Sequence, residues 1–202
     1  TGYMVDDLKE TDPIRQDLSF FEENFDGLMP LEVTVDFGKP KQVLNLPNLQ
    51  KLDKLSEELS KDEDISKPIS LIEVIKFANQ AFYNGKPSYY KLPTNMTKNF
   101  ILKYASQSTG EIGGQANSFV DSTLQRVRLS FRVKDIGTKK MQEKENKLYN
   151  IVEQYFPNDR YTVKVTGSSI IFFKGTQYLV FNLFTSLALA ILLIALFMAW
   201  MF

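Results

Sequence analysis

The chain has 202 residues, with 24 acidic and 24 basic side chains and neither cysteine nor histidine. Balanced, interspersed charge excludes the basic footprint of a nucleic-acid binder. The missing residue types exclude thiol nucleophiles, disulfides, Cys/His zinc sites and Ser-His-Asp triads within this chain.

In chain order, Asp12 followed by Pro13 reads as a helix start, a capping carboxylate with Pro at the first helical position. Ile14, Leu18, Phe21 and Phe25 recur at helical spacing up to Gly27. Leu31-Glu32-Val33-Thr34-Val35-Asp36-Phe37 alternates with period two, the pattern of a half-buried strand. Leu49, Leu52, Leu55 and Leu59 mark an amphipathic helix after Pro47, with Lys51, Lys54, Glu57 and Glu58 on its wet side. Lys61–Asp64 is read as a charged turn, and Ile65–Ile69 as a short extended piece. Ser70 with Glu73 three residues on predicts a capping box for a helix over Leu71, Val74, Ile75, Ala78 and Phe82. Asn84–Pro87 breaks the chain, and a further helix is expected over Met96–Ser106.

Ser108–Ser118, with Gly110, Gly113 and Gly114, is read as a flexible loop. It has neither the Lys-Ser/Thr pair nor the strand-to-helix context of a phosphate loop. Asp62, Glu63 and Asp64 lack calcium-ligand spacing and are read as a solvated turn. Phe119–Val133 reads as strand, clearest where Val127, Leu129, Phe131 and Val133 alternate with Arg126, Arg128, Ser130 and Arg132. These arginines either pair with acids across the sheet, face a neighbouring domain, or are simply solvated. Gly137-Thr138 opens a helix to about Phe156, and Tyr161, Val163 and Val165 form a last alternating strand. The order of strands and helices predicts an α+β fold, a ferredoxin-like split βαβ domain. Residues 29–70 and 119–168 supply it, and 71–118 form a mainly helical insertion too long for a simple loop.

Residues 169–202 form a linker and an apolar helix. Tyr178–Phe202 carries no charge, and ~20 apolar residues at ~1.5 Å rise suffice to cross a ~30 Å hydrocarbon core. Phe172, Phe173, Lys174 and Tyr178 look like an anchor at the membrane interface. Asn182, Thr185 and Ser186 are either helix-packing residues in a bundle or a tolerated polar fringe. None is ionisable, so no proton relay is visible. Phe77, Phe82, Tyr83, Tyr89, Tyr90, Phe100 and Tyr104 cluster in the insertion, as a substrate-facing apolar cleft or as packing of small helices. No base, nucleophile and orienting group stand together, so enzymatic chemistry and cofactors are not expected. The apolar tail continues to the final residue, which predicts a segment of a larger membrane protein.

The stretch DPIRQDLSFFEENFDGLMPLEVTVDFG (Asp12–Gly38) resembles the sequence after the first membrane helix of a repeat in RND-superfamily transporters, particularly the MMPL-like predicted-exporter branch. Phe25-Asp26-Gly27 and Leu31–Phe37 stand where that family ends a helix and begins its porter domain. Tyr161–Phe202 is similar to the end of such a domain: a strand, Thr-Gly, a linker helix and the second membrane helix of the repeat. The resemblance implies that residues 1–28 are a linker helix after a preceding membrane span. It also implies a bacterial inner-membrane location, with residues before about 170 on the periplasmic side. The implied partners are the bilayer, the remaining membrane helices, a second porter domain and a hydrophobic or lipid-like substrate. The alternative is a single-span, membrane-anchored periplasmic binding or interaction module.

Overall fold

The computed structural model describes residues 8–107 and 117–201. Ser108–Ala116, which hold the three glycines of the expected flexible loop, lie outside the described residues. Helix α1 spans Pro13–Phe25 and strand β1 Met29–Asp36. Then come α2 (Leu46–Leu59), β2 (Ile69–Ser70), α3 (Leu71–Phe82), a single 3-10 turn (Pro87–Tyr89) and α4 (Lys98–Gln107). Strand β3 (Arg126–Val133), α5 (Gly137–Tyr155), β4 (Thr162–Thr166) and α6 (Ser168–Met201) complete the chain order.

The strands form one sheet in the order β2-β3-β1-β4, every neighbouring pair antiparallel. Alternation sets the register. Leu31 faces Phe131, Val33 lies between Leu129 and Val165, and Val35 between Val127 and Val163. These inward side chains share one core with Leu49, Leu52, Leu55 and Leu59 of α2 and Met141, Leu148 and Val152 of α5. A strand with period two and a helix with period 3.6 each expose one apolar face, and stacking those faces removes both from water. The opposite face is polar. Arg126 pairs with Asp36 at 2.7 Å and Arg128 with Glu32 at 3.3 Å, while the Arg132 guanidinium lies 5.3 Å from the centroid of the Phe25 ring. Cross-strand pairing thus engages two of the three arginines, and an aromatic ring engages the third.

Local chemistry accounts for the helix ends. Asp12 accepts a hydrogen bond from the Ile14 N–H at 2.9 Å, with Pro13 in the first turn. Asp26 closes α1 in the left-handed region at φ 55°. Two expectations are corrected, and two further features come from the structure. The expected strand from Phe119 is regular only from Arg126, because residues 121–125 turn back so that Val120 bridges Val127. Ser70 precedes α3 but makes no side-chain cap; Glu73 instead accepts from the Tyr90 hydroxyl and approaches Lys76 at 3.5 Å. The apolar stripe of α1 is not covered by the described residues, and no residue of that helix is buried. The linker helix and the apolar helix are one continuous α6, because nothing between Ser168 and Tyr178 breaks helical geometry.

Candidate functional site

The best-constructed feature is the joint at which the α/β body becomes α6. At the end of β4, Gly167 has φ 119°, and a Cβ there would lie 2.3 Å from the Pro30 carbonyl oxygen. Only glycine tolerates both that backbone conformation and that approach. The buried Ser169 hydroxyl donates to the same carbonyl at 3.0 Å. The Ile171 N–H bonds the Gly167 carbonyl at 3.1 Å, so the helical ladder begins at the sheet edge itself.

The first turns of α6 then enter the core. Ile170 and Phe173 are buried. Ile170 sits among Leu31, Val133, Met141 and Leu148, and Phe173 beside Met29, Ile136 and Met141. Lys174 pairs at 3.1 Å with Glu145 of α5, a carboxylate only 8% exposed, and stands 5.9 Å from the centroid of the Tyr149 ring. The base of α6 is therefore fixed by a backbone contact to β1, by two core side chains and by an ion pair to α5. From Gln177 onward its side chains lie on the outside. The helix has 34 residues and is long and apolar enough to cross a membrane; at ~1.5 Å per residue it extends ~50 Å.

The four residues expected at a membrane interface thus divide. Phe173 is a core residue and Lys174 an ion-pair partner, whereas Phe172 and Tyr178 are exposed. Thr185 donates to the Phe181 carbonyl at 2.8 Å and Ser186 to the Asn182 carbonyl. Both hydroxyls are therefore satisfied within their own helix, and Asn182 is exposed.

Among the described side chains, the aromatic residues of the insertion do not line one cleft. Tyr83 stacks on Tyr89 with centroids 4.0 Å apart, and Phe82 meets Tyr83 edge-on. Asn79 holds the Pro87–Tyr89 turn, donating to the carbonyls of Tyr89 at 2.9 Å and Lys91 at 3.1 Å. Phe77 and Phe100 point outward at 49% and 67% exposure. The side chain of Tyr104 lies outside those described. Tyr90 belongs to a polar cavity of about 310 Å³ lined also by Asp53, Ser56, Glu57, Ser60, Lys67, Pro68, Glu73 and Lys76. Lys76 lies 2.5 Å from Asp53. Burial pulls the Lys76 ammonium down, but the Asp53 contact and the Glu73 charge outweigh it and hold the group above its ordinary value. Burial, then the Glu73 hydrogen bond, push the Tyr90 hydroxyl up to about 12. The cavity is a polar seam between α2 and α3 in which Lys76 is paired with Asp53 and Glu73.

Among the described residues no acidic group set has the arrangement of a metal site. The joint residues Gly167, Ser169, Ile170 and Glu145 carry no motif, but one signal was present. Met141, Glu145, Leu148 and Val152 recur at helical spacing, so a lone carboxylate on an apolar stripe pointed to a buried cation partner. No protein-family model matches the chain, and no curated protein matches it in sequence.

Proposed function

We propose that this chain is the extracytoplasmic porter-domain segment of an RND/MMPL-type exporter. On this reading it binds or passes a hydrophobic or amphiphilic substrate while ion-driven motion of the membrane helices moves the domain. The observation that carries the reading is the joint. A helix whose first turns are part of the domain core cannot tilt or shift without moving β1 and α5. Packed interfaces respond to such shifts as rigid bodies rather than by bending. The strand order β2-β3-β1-β4 supports it too, since two interleaved βαβ units, β1-α2-β2 and β3-α5-β4, generate that antiparallel order. In this reading the fold is a ferredoxin-like porter domain, α6 spans the bacterial inner membrane, and the body stands on the periplasmic side. Its partners are the bilayer, the other membrane helices, a second porter domain and a lipid-like substrate. The domain performs no covalent chemistry.

The test is a flexible Gly-Ser-Gly-Ser insertion after Gly167 in the full-length protein, read by efflux of a fluorescent amphiphile from cells or proteoliposomes. Loss of efflux with normal expression and membrane insertion is expected. Unchanged efflux removes the coupling role.

A further inference from the structure

Among the described residues, nothing covers an aromatic surface on helix α1. A 13-residue helix is marginal in water on its own, because most helical stability comes from packing one face. Here the half-buried side is Arg15, Leu18 and Glu22. Glu22 accepts from the Asp135 backbone N–H at 2.6 Å. Flanking Leu18 on the same stripe, Ile14, Phe21 and Phe25 are exposed by 60, 49 and 45%, and Phe20, further round the helix, by 58%. Phe21 stacks on Phe25 with centroids 5.2 Å apart, and Phe20 meets Phe21 edge-on at 6.2 Å. This is one contiguous apolar surface, the kind that marks an interaction site.

Its place in the fold says what covers it. α1 ends where Gly27 lies against the backbone of Val133 and the Leu28 N–H bonds the Val133 carbonyl. Val133 pairs with Met29, the first residue of β1. That is the end of the sheet at which Gly167 rests on Pro30 and α6 departs. Both helices therefore leave the body at one pole, and Ile171, Phe172 and Tyr178 are exposed on α6 just beyond it. We propose that Ile14, Phe20 and Phe21, with Phe25 bridging them to Arg132 of the body, rest at the headgroup–acyl boundary of the bilayer that holds α6, so that α1 is a second, interfacial membrane contact. The charge of α1 selects the lipid. One basic residue, Arg15, stands against Asp17, Glu22 and Glu23 within the helix and Asp12 and Asp26 at its ends. An acidic polar face disfavours anionic headgroups, so the surface is a zwitterionic one.

The proposal rests on α6 lying in the membrane, and the chain's single tryptophan, Trp200, reports on that separately. The chain is reconstituted into phosphatidylcholine vesicles with bromines placed near the glycerol end of the acyl chains. Trp200 of the unaltered chain is the control for the span. In a Trp200→Phe background, Phe21→Trp and, independently, Phe20→Trp report on α1. Tyr161→Trp, at the opposite end of β4 beside Phe37 and Phe156, reports on the far pole. The indoles at 20 and 21 are expected to lose emission and shift to the blue, the one at 161 to do neither, and quenching to weaken when phosphatidylglycerol is added at low salt. Quenching of Trp200 without quenching at 20 or 21 overturns the proposal and leaves the face to a protein partner. If Trp200 also escapes quenching, the span itself is wrong and the proposal falls with it.

Discussion

Single side chains at the joint have effects whose sign follows from geometry. Gly167→Ala puts a Cβ into the Pro30 carbonyl at a φ that L-residues rarely adopt. The backbone strain alone costs ~1–3 kcal/mol, and the clash displaces the start of α6. Gly175, about two turns into the same helix, has open space where a Cβ would stand and no positive φ. Gly175→Ala is therefore expected to stabilise by ~0.5–1 kcal/mol. Chemical denaturation of the two variants in the same detergent reads both signs. Ser70 makes the opposite point. Its hydroxyl is buried without a hydrogen-bond partner. Removing a helix cap ordinarily costs ~1 kcal/mol. Ser70→Ala is instead expected to be neutral or stabilising by up to ~1 kcal/mol, because it relieves an unmet desolvation cost. A loss of ~1 kcal/mol in the same assay would show that the hydroxyl does cap α3.

Between elements, the seam of α2 and α5 is pinned where Lys144 of α5 meets Asp62 and lies 2.8 Å from Asp64, in the turn after α2. Burial pushes Asp62 up, but the Lys144 hydrogen bond, the Asp64 N–H and the Lys144 charge outweigh it, so its carboxyl titrates below the ordinary 3.8. Burial pulls Lys144 down, yet its hydrogen bonds to Asp62 and Asp64 raise it above 10.5. A depressed carboxylate adds stability that is complete above its unfolded pKa and disappears as pH falls through the folded one. A raised ammonium adds stability that is complete below its unfolded pKa and disappears as pH rises through the folded one. The pair thus stabilises the body between pH 3.8 and 10.5. With both side chains partly exposed, Asp62→Asn is expected to cost ~1 kcal/mol at neutral pH, and the difference from the unaltered chain to vanish in acid. Thermal melts from about pH 2 to about pH 8 check it; a pH-independent difference would assign the effect to packing. The elements that meet here were each legible from periodicity, since Leu49–Leu59 and the α5 stripe both carry a 3.6 repeat. Their mutual contact was not, because helical period fixes which face is apolar and not which neighbour covers it.

The molecule as a whole is an α/β body carried by a helix that belongs to it and extends beyond it. The charge-free part of α6 has its centre near Leu189. Leu189→Arg is expected to raise the cost of membrane insertion by ~2.5–3.5 kcal/mol. In a translocon insertion assay that lowers the inserted fraction, whereas Lys174→Gln, at the body end, leaves it unchanged. Equal behaviour of the two variants would argue that α6 is held by something other than lipid. The placement of Lys174 follows the same division: read alone, an aromatic-Lys cluster before an apolar run signals an interfacial anchor, but folding hands Lys174 to Glu145 and Phe173 to the core.

The sequence by itself determined the absence of Cys/His chemistry, the uncharged helix, the alternating strands and the Asp12-Pro13 helix start, because composition and period are local properties. Three things were decided only by tertiary structure. α6 begins inside the core, since that depends on Gly167 fitting over Pro30, residues far apart in the chain. Glu73 leaves the expected capping role because Tyr90, brought back by the Pro87–Tyr89 turn, offers a hydroxyl. The described aromatics of the insertion divide among a Tyr83–Tyr89 stack, outward-facing rings and Tyr90 in the polar seam, because clustering in sequence does not specify a shared cavity. In the first two cases the outcome rests on a contact between separate elements, and in the third on a turn geometry that composition does not encode, so the sequence names the surfaces and the fold chooses which of them meet.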